Sequence, residues 1–195
     1  MQPSRLKVGV DVPWVTSWTE EAMLGPAPCM TVPGMLAAAQ AHRPGYGRPV
    51  YSQNHFIRQR MSVRRMLCPM CGEPTTEGDR WTLTAHRLSA GALRRKGMAA
   101  PPARDLPDDR IVIDAGAVSP QHYACATQSM VKCPHLSADP ALDLRPFSTR
   151  WFVTPLFAAL SPMPMAVMTR TERPPPLVCF LQLCGVTDEV ERARA

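Results

Sequence analysis

From His55 to Leu67 the apolar positions Phe56, Ile57, Met61, Val63 and Met66 interleave with arginines at helical spacing. That pattern predicts a basic amphipathic helix. Trp81 to His86 alternates apolar and polar residues and predicts a strand, and Arg110-Ile111-Val112-Ile113-Asp114 predicts a second. Ser119-Pro120 reads as a helix start, because serine caps and proline suits the first helical position. The helix runs to about Lys132, where Pro134 stops it. Val8 to Ala22 reads as a short strand and turn leading into a helix start at Thr19-Glu20-Glu21. Gly25 to Pro49 reads as extended chain around a short helix from Met35 to Ala41. Cys68 to Gly78 is a turn region and Leu88 to Ala103 a loop. Val178 to Val186 fits a strand or a buried helix, and Asp188 to Ala195 a frayed polar tail.

Composition narrows this picture. Apolar residues make up 45% of the 195 positions, enough for a real core and too many for wholesale disorder. Twenty-two prolines against eleven glycines disfavour long helices and wide central sheets. A chain with so little regular structure often needs a staple, and a metal is one. Three segments are expected: an irregular flank over 1–44, a zinc-binding core over 45–137, and a Pro/Met-rich region over 138–195 packed on that core.

Four residues carry the candidate chemistry. Cys68-Pro69-Met70-Cys71-Gly72 is a CxxC knuckle, in which two thiolates come from one tight turn and glycine permits the positive φ that follows. A second pair must come from His122, Cys125, Cys133 and His135. His122 and Cys125, three apart in the first helical turn, are separated by about 4.5 Å of rise and reach one ion together. Cys125 and Cys133, eight apart, lie roughly 12 Å apart along an intact helix and cannot share a tetrahedral site. The preferred set is therefore Cys68, Cys71, His122 and Cys125. Cys133 and His135 replace the second pair if the helix starts late or breaks early. The order knuckle, strand, strand, helix with ligands in its first turn predicts an α+β fold built on a small treble-clef-like zinc domain, with irregular Pro-rich flanks. Four ligands make the Zn2+ structural. The bland alternative makes Cys125 and Cys133 buried small hydrophobes. A redox role for Cys68 and Cys71 would need the pair to open a helix, which Gly72-Glu73-Pro74 prevents. Cys29, Cys179 and Cys184 lack metal spacing and read as packing residues.

The charge is uneven. Nine basic against three acidic residues lie between His55 and Lys96, an excess that equals the net +6 of the whole chain. An anionic partner would dock there, on Arg58, Arg60, Arg64 and Arg65 and on the Arg94-Arg95-Lys96 cluster. A solvated basic face is the plain alternative. The expected partner is a nucleic acid or an acidic protein, with no small-molecule substrate. Met1 to Asp11 has no apolar core of signal-peptide length. Seven cysteines without such a signal suit a reducing, cytoplasmic compartment rather than a disulfide framework. Trp151 to Thr169 is uncharged, but Pro155, Pro162 and Pro164 interrupt it, so packed chain is expected rather than a membrane span.

Gly47-Arg48-Pro49-Val50-Tyr51, Arg58-Gln59-Arg60 and Leu67-Cys68-Pro69-Met70-Cys71-Gly72 form one run of recognisable motifs. His122-x-x-Cys125 followed by Cys133-Pro134-His135-Leu136 forms another. Together, over about residues 45 to 137, they resemble small zinc-knuckle proteins of actinobacteria and their phages with a CxxCG…HxxC…CPHL pattern. The resemblance implies metal ligation by the residues named and no particular activity. Met70 and the stretch from Leu88 to Asp109 depart from that pattern, and the two terminal regions lie outside it. The functional expectation is a non-enzymatic, zinc-stabilised binding module, phage- or mobile-element-borne. Two alternatives compete with it: a treble-clef (HNH-like) metal-dependent nuclease with His86 as general base, and a structural or assembly protein using its proline-rich C-terminal third.

Overall fold

The computed structural model describes residues 3–83, 86–95, 106–116, 118–139, 142–158 and 176–187. In chain order these form β1 (Thr16–Trp18), β2 (Met23–Pro28), β3 (Leu36–Gln40), β4 (Pro49–Asn54), α1 (Phe56–Arg65), β5 (Trp81–Thr82), β6 (His86–Ser89) and α2 (Ala90–Arg95). They continue with β7 (Ile111–Gly116), α3 (Tyr123–Lys132), α4 (Pro134–Ser137), β8 (Arg145–Pro146), β9 (Arg150–Phe157) and β10 (Val178–Val186). The class is α+β, as the sequence suggests.

The main sheet runs β2-β3-β10-β7-β6, with β9 pairing β10 from the other side. It takes β2 and β3 from 1–44, β6 and β7 from 45–137, and β9 and β10 from 138–195. Val178 to Val186 is the strand at its centre. Met35 to Ala41 is a strand rather than a helix, because Ala37 to Ala39 pair with Gly25 to Ala27 of β2. Thr19 to Glu21 is a turn between β1 and β2, not a helix start. The predicted strand from Trp81 to His86 is divided between two partners: β5 pairs β8, whereas β6 pairs β7. The stretch expected to be a loop after Leu88 carries the end of β6 and α2. Trp151 to Phe157 is strand β9, and the rest of that uncharged stretch, like Asp188 to Ala195, falls outside the described residues apart from Ala158. Among the described residues no helix is long and apolar enough to cross a membrane.

Helix α1 forms as predicted but turns the other way. Arg58, Gln59, Arg60, Ser62 and Val63 are all buried. The reason lies in β10. One of its edges pairs with β9 along its length. The other is split, meeting β3 only at Val178 and β7 only from Leu183 onward. The backbone between those contacts needs partners, since buried peptide groups left unpaired are costly. Side chains of α1 supply them. Gln59 donates from Nε2 to the Leu181 carbonyl at 2.7 Å and accepts from the Leu181 amide at 3.0 Å, as a neighbouring strand would. Arg60 donates to the Cys179 carbonyl at 2.7 Å and to the Ala38 carbonyl of β3 at 2.8 Å. Val63 of the same helix and Met66, its C-cap, pack on Ala37, Val178, Leu181 and Leu183. On the far part of the sheet, Ala90 and Leu93 of α2 cover Val112, Ile113 and Ala115.

Gln59→Leu keeps the volume and orphans both Leu181 groups. At about 1–3 kcal/mol for each buried group left unmade, a loss of roughly 2–4 kcal/mol is expected in urea unfolding of the metal-loaded protein. A loss below about 1 kcal/mol would contradict the strand-bridging role.

Candidate metal centre

Leu67 to Pro74 folds back on itself as a tight loop. The amide of Cys68 donates to the Glu73 carbonyl and that of Gly72 to the Cys68 carbonyl, each at 2.8 Å. Gly72 has φ +85°, and a Cβ there would lie 2.9 Å from the Trp14 ring. The N-terminal segment clamps this loop from outside: the amides of Trp14 and Val15 donate to the carbonyls of Met70 and Pro69 at 2.8 and 3.0 Å. Cys68 is completely buried, and Cys71 is half-buried.

Opposite the loop stands the start of α3. Its N-cap is His122, three residues beyond the serine that the sequence favours. Ser119 instead donates its hydroxyl to the Leu67 carbonyl at 2.7 Å, tying the approach to the knuckle. The capping acceptor comes from elsewhere: Asp79 accepts the Tyr123 amide at 2.7 Å, where a carboxylate also suits the positive end of the helix. Trp81 and Gln121 exchange two backbone hydrogen bonds at 2.8 Å, fixing the helix start against β5. The later start leaves His122 and Cys125 in the first turn together, so the spacing argument survives the shift.

Cys68, Cys71, His122 and Cys125 each turn one ligand atom to a common point, all within 4.8 Å of one another. His122 Nδ1 lies 3.4 Å from Cys71 Sγ and 3.9 Å from Cys125 Sγ. Sulfur and nitrogen ligands at ordinary metal distances around a tetrahedron sit about 3.6 Å apart, so these spacings suit a single ion. The other ring nitrogen, Nε2, donates to the Pro74 carbonyl at 3.2 Å. That bond leaves the Nδ1 lone pair facing the thiols, the orientation a metal-bound imidazole needs. Burial pushes the Cys125 thiol up to about 12, and the nearby Cys68 and Cys71 sulfurs add to the rise. Cys71 is raised as well, first by burial, with the Glu73 amide opposing and Cys68 reinforcing. Crowded sulfurs cannot ionise together in a dry site unless a cation neutralises them.

Cys133 and His135 take no part in this grouping. Helix α3 runs unbroken to Lys132, Cys133 ends it, and His135 is exposed on α4. No local pattern marked Trp14, Asp79, Gln121 or the Pro74 carbonyl, which hold the four grouped side chains in place through tertiary contacts.

The arginines expected on one basic face separate. Arg58 and Arg60 are each 1% exposed and point inward, which removes them from any docking surface. Arg64 and Arg65 are exposed at the end of α1, just before the knuckle. Arg64 donates to the Thr31 carbonyl at 2.7 Å. Arg94 forms an ion pair with Asp108, Arg95 is exposed, and Lys96 lies outside the described residues.

Glu21, His42 and His55 form a second close group. It is built for structure. Glu21 accepts from both terminal nitrogens of Arg58, at 2.6 and 2.8 Å, and from the amides of Trp18 and Arg43. His55 accepts the Arg58 amide at Nδ1 as helix cap, and its Nε2 faces the Ala41 carbonyl at 3.0 Å. No lone pair of this pair remains for an ion. Burial pushes the His55 imidazole down to about 4, aided by the Arg58 charge. Burial alone would raise the Glu21 carboxyl, but the hydrogen bonds and charge of Arg58 outweigh it and hold it low. Both shifts act in one direction. As pH falls below about 6.5 the unfolded chain protonates its histidine first, and stability drains away until the folded His55 titrates near 4. His55→Asn retains a capping side chain without that titration. Between pH 7 and 4 it should lose up to about 3 kcal/mol less than the wild type. Any release of a metal in acid would be common to both chains, so equal losses would sink the assignment.

No known protein-family model matches the chain, and no curated protein sequence or solved structure is significantly similar to it. The metal-ligand grouping and the fold around it therefore carry the functional reading by themselves.

Proposed function

We propose that the protein is a zinc-stabilised, non-enzymatic binding module that engages nucleic acid through the basic surface beside its knuckle. The observation that carries the reading is the convergence of three thiols and one imidazole within 4.8 Å. Such a sulfur-rich set selects zinc over magnesium or calcium, and four protein ligands leave no position for a reacting water. The chain order knuckle, hairpin β6–β7, helix α3 supports a treble-clef description, with the hairpin absorbed into the main sheet. A nuclease would need an open coordination position with a base beside it. His86, on edge strand β6, is not in the ligand group. The likeness to knuckle proteins of actinobacteria and their phages makes a mobile-element origin part of this proposal.

Arg64 and Arg65 are the surface this reading depends on. Arginine suits phosphate oxygens because its planar fork makes two parallel hydrogen bonds. Measured by fluorescence anisotropy on metal-loaded protein, Arg64→Glu/Arg65→Glu should weaken binding at least ~10-fold. It should also shrink the slope of log affinity against log salt by about two. If single- and double-stranded DNA and RNA all fail to bind at low salt, the basic surface belongs to a protein partner or to solvent.

A further inference from the structure

Away from the metal centre, the turn that joins β2 to β3 brings a thiol against a buried cation. Cys29 Sγ lies 3.0 Å from the Thr31 hydroxyl and 3.7 Å from Nη2 of Arg60. The other acceptors of that guanidinium are neutral oxygens: the carbonyls of Cys179 and Ala38, and the Thr31 hydroxyl at 3.3 Å. Among the described residues no carboxylate lies within ion-pair distance of Arg60, although it is 1% exposed. Arginine does not give up its proton, and a buried cation without a counter-charge is costly. Of the atoms Arg60 donates to, only Cys29 Sγ can carry a negative charge. Cys29 also lines an open cleft of about 440 Å³, with Pro28, Met30, Pro33 and Met35 among its walls. Met30 is 92% exposed, so the cleft mouth meets solvent through an apolar side chain.

We propose that Cys29 is held as a thiolate, the counter-ion of Arg60, and reacts through this cleft with small apolar disulfides by thiol–disulfide exchange. The reading is independent of the metal centre. The direction of the Cys29 acidity agrees with the geometry. Burial works to raise it, but the Thr31 hydroxyl and amide and the Arg60 donor and charge outweigh that and bring it below the ordinary thiol value. Cys179, whose carbonyl accepts from the same guanidinium, is raised by burial, with the Arg60 charge opposing.

In the exchange, the Cys29 thiolate attacks one sulfur of the incoming disulfide. A new S–S bond forms, the old one breaks, and the second sulfur leaves as a thiolate with the electron pair. Cys29 is oxidised by one electron-equivalent and the leaving sulfur reduced by one, with no other reactant. The mixed disulfide is neutral, so Arg60 loses its counter-charge beneath β3 and β10. A free thiol attacking the mixed disulfide restores it, which makes the modification readily reversible.

The test uses the metal-loaded full chain and 4,4′-dithiodipyridine. Thiopyridone release gives the rate, and peptide mass spectrometry assigns the sulfur. Cys29 should react about ten-fold or more faster than Cys179 at pH 7. Its pH–rate midpoint should fall below the ordinary thiol value of about 8.5. Thr31→Val removes one hydroxyl donor while leaving Arg60 in place, and should move that midpoint upward and slow Cys29 at pH 7. Overturning results are a Cys29 no faster than Cys179, a midpoint at or above the ordinary value, or a midpoint that Thr31→Val leaves unmoved.

Discussion

Cys125→Ser should strip the protein of its metal and of most of its resistance to unfolding. Wild-type protein purified without chelator is expected to carry about one zinc per chain by elemental mass spectrometry, and so is Cys133→Ser. Cys68→Ser and Cys125→Ser should carry none. The physical reason is that the ion would join the knuckle to the first turn of α3, which otherwise meet through the bonds from Ser119 to Leu67 and from His122 to Pro74. The knuckle has its own turn hydrogen bonds and the clamp from Trp14 and Val15, while the first turn of α3 has Asp79 and Gln121. Structural zinc in small peptides supplies apparent folding energies of about 10–16 kcal/mol. Here the main sheet has its own apolar clusters, so the loss should be smaller, of the order of several kcal/mol, and concentrated around the knuckle. Hydrogen exchange would show it as loss of protection at Cys68 to Thr75 and the start of α3, with β10 still protected. Metal-free wild-type protein, or metal that survives Cys125→Ser but not Cys133→Ser, would remove the central assignment.

Glu21→Gln is expected to be nearly as damaging, by a different route. Arg58 and Glu21 form a two-pronged ion pair with side chains 1% and 0% exposed. Removing the carboxylate charge leaves the guanidinium buried and uncompensated, a change worth about 3–5 kcal/mol when one partner of a buried pair is lost. Replacing both residues avoids that fault. The double variant Glu21→Leu/Arg58→Met should therefore recover part of the loss, because well-packed apolar pairs often match buried ion pairs, while the Trp18 and Arg43 amides and the Thr16 carbonyl are left without these partners. Denaturant titration of the metal-loaded chains decides the matter. A single-variant loss under about 1 kcal/mol, or a double variant worse than Glu21→Gln, would show that the pair does not hold β1 and α1 together.

The grouping of Cys68, Cys71, His122 and Cys125 was readable because the geometry of each pair is local. Cys68 and Cys71 share one turn, and His122 and Cys125 share one turn of helix, so spacing alone limits what each pair can reach. The same locality made α1, β7 and α3 legible: interleaved apolar positions marked α1, a β-branched run marked β7, and start and stop residues marked α3. Met35 to Ala41 misled because a run of alanines suits a helix, yet here it is recruited as β3 by pairing that no local pattern reports. The helix cap moved from Ser119 to His122 because a distant carboxylate, Asp79, accepts the Tyr123 amide while Ser119 is drawn to Leu67.

The arginines mark the boundary between the two kinds of information. By itself the sequence determined that Arg58, Arg60, Arg64 and Arg65 lie on one helix, and that two thiols and a knuckle glycine follow it. Only the tertiary structure decided which of those arginines meet solvent. Arg58 turns inward to the carboxylate of Glu21, and Arg60 turns inward to the broken edge of β10 and the sulfur of Cys29. A helix normally hides its apolar stripe. This one also hides polar groups, because the strand beneath it presents unpaired carbonyls and amides, and buried peptide groups take whatever donors and acceptors the fold brings within reach.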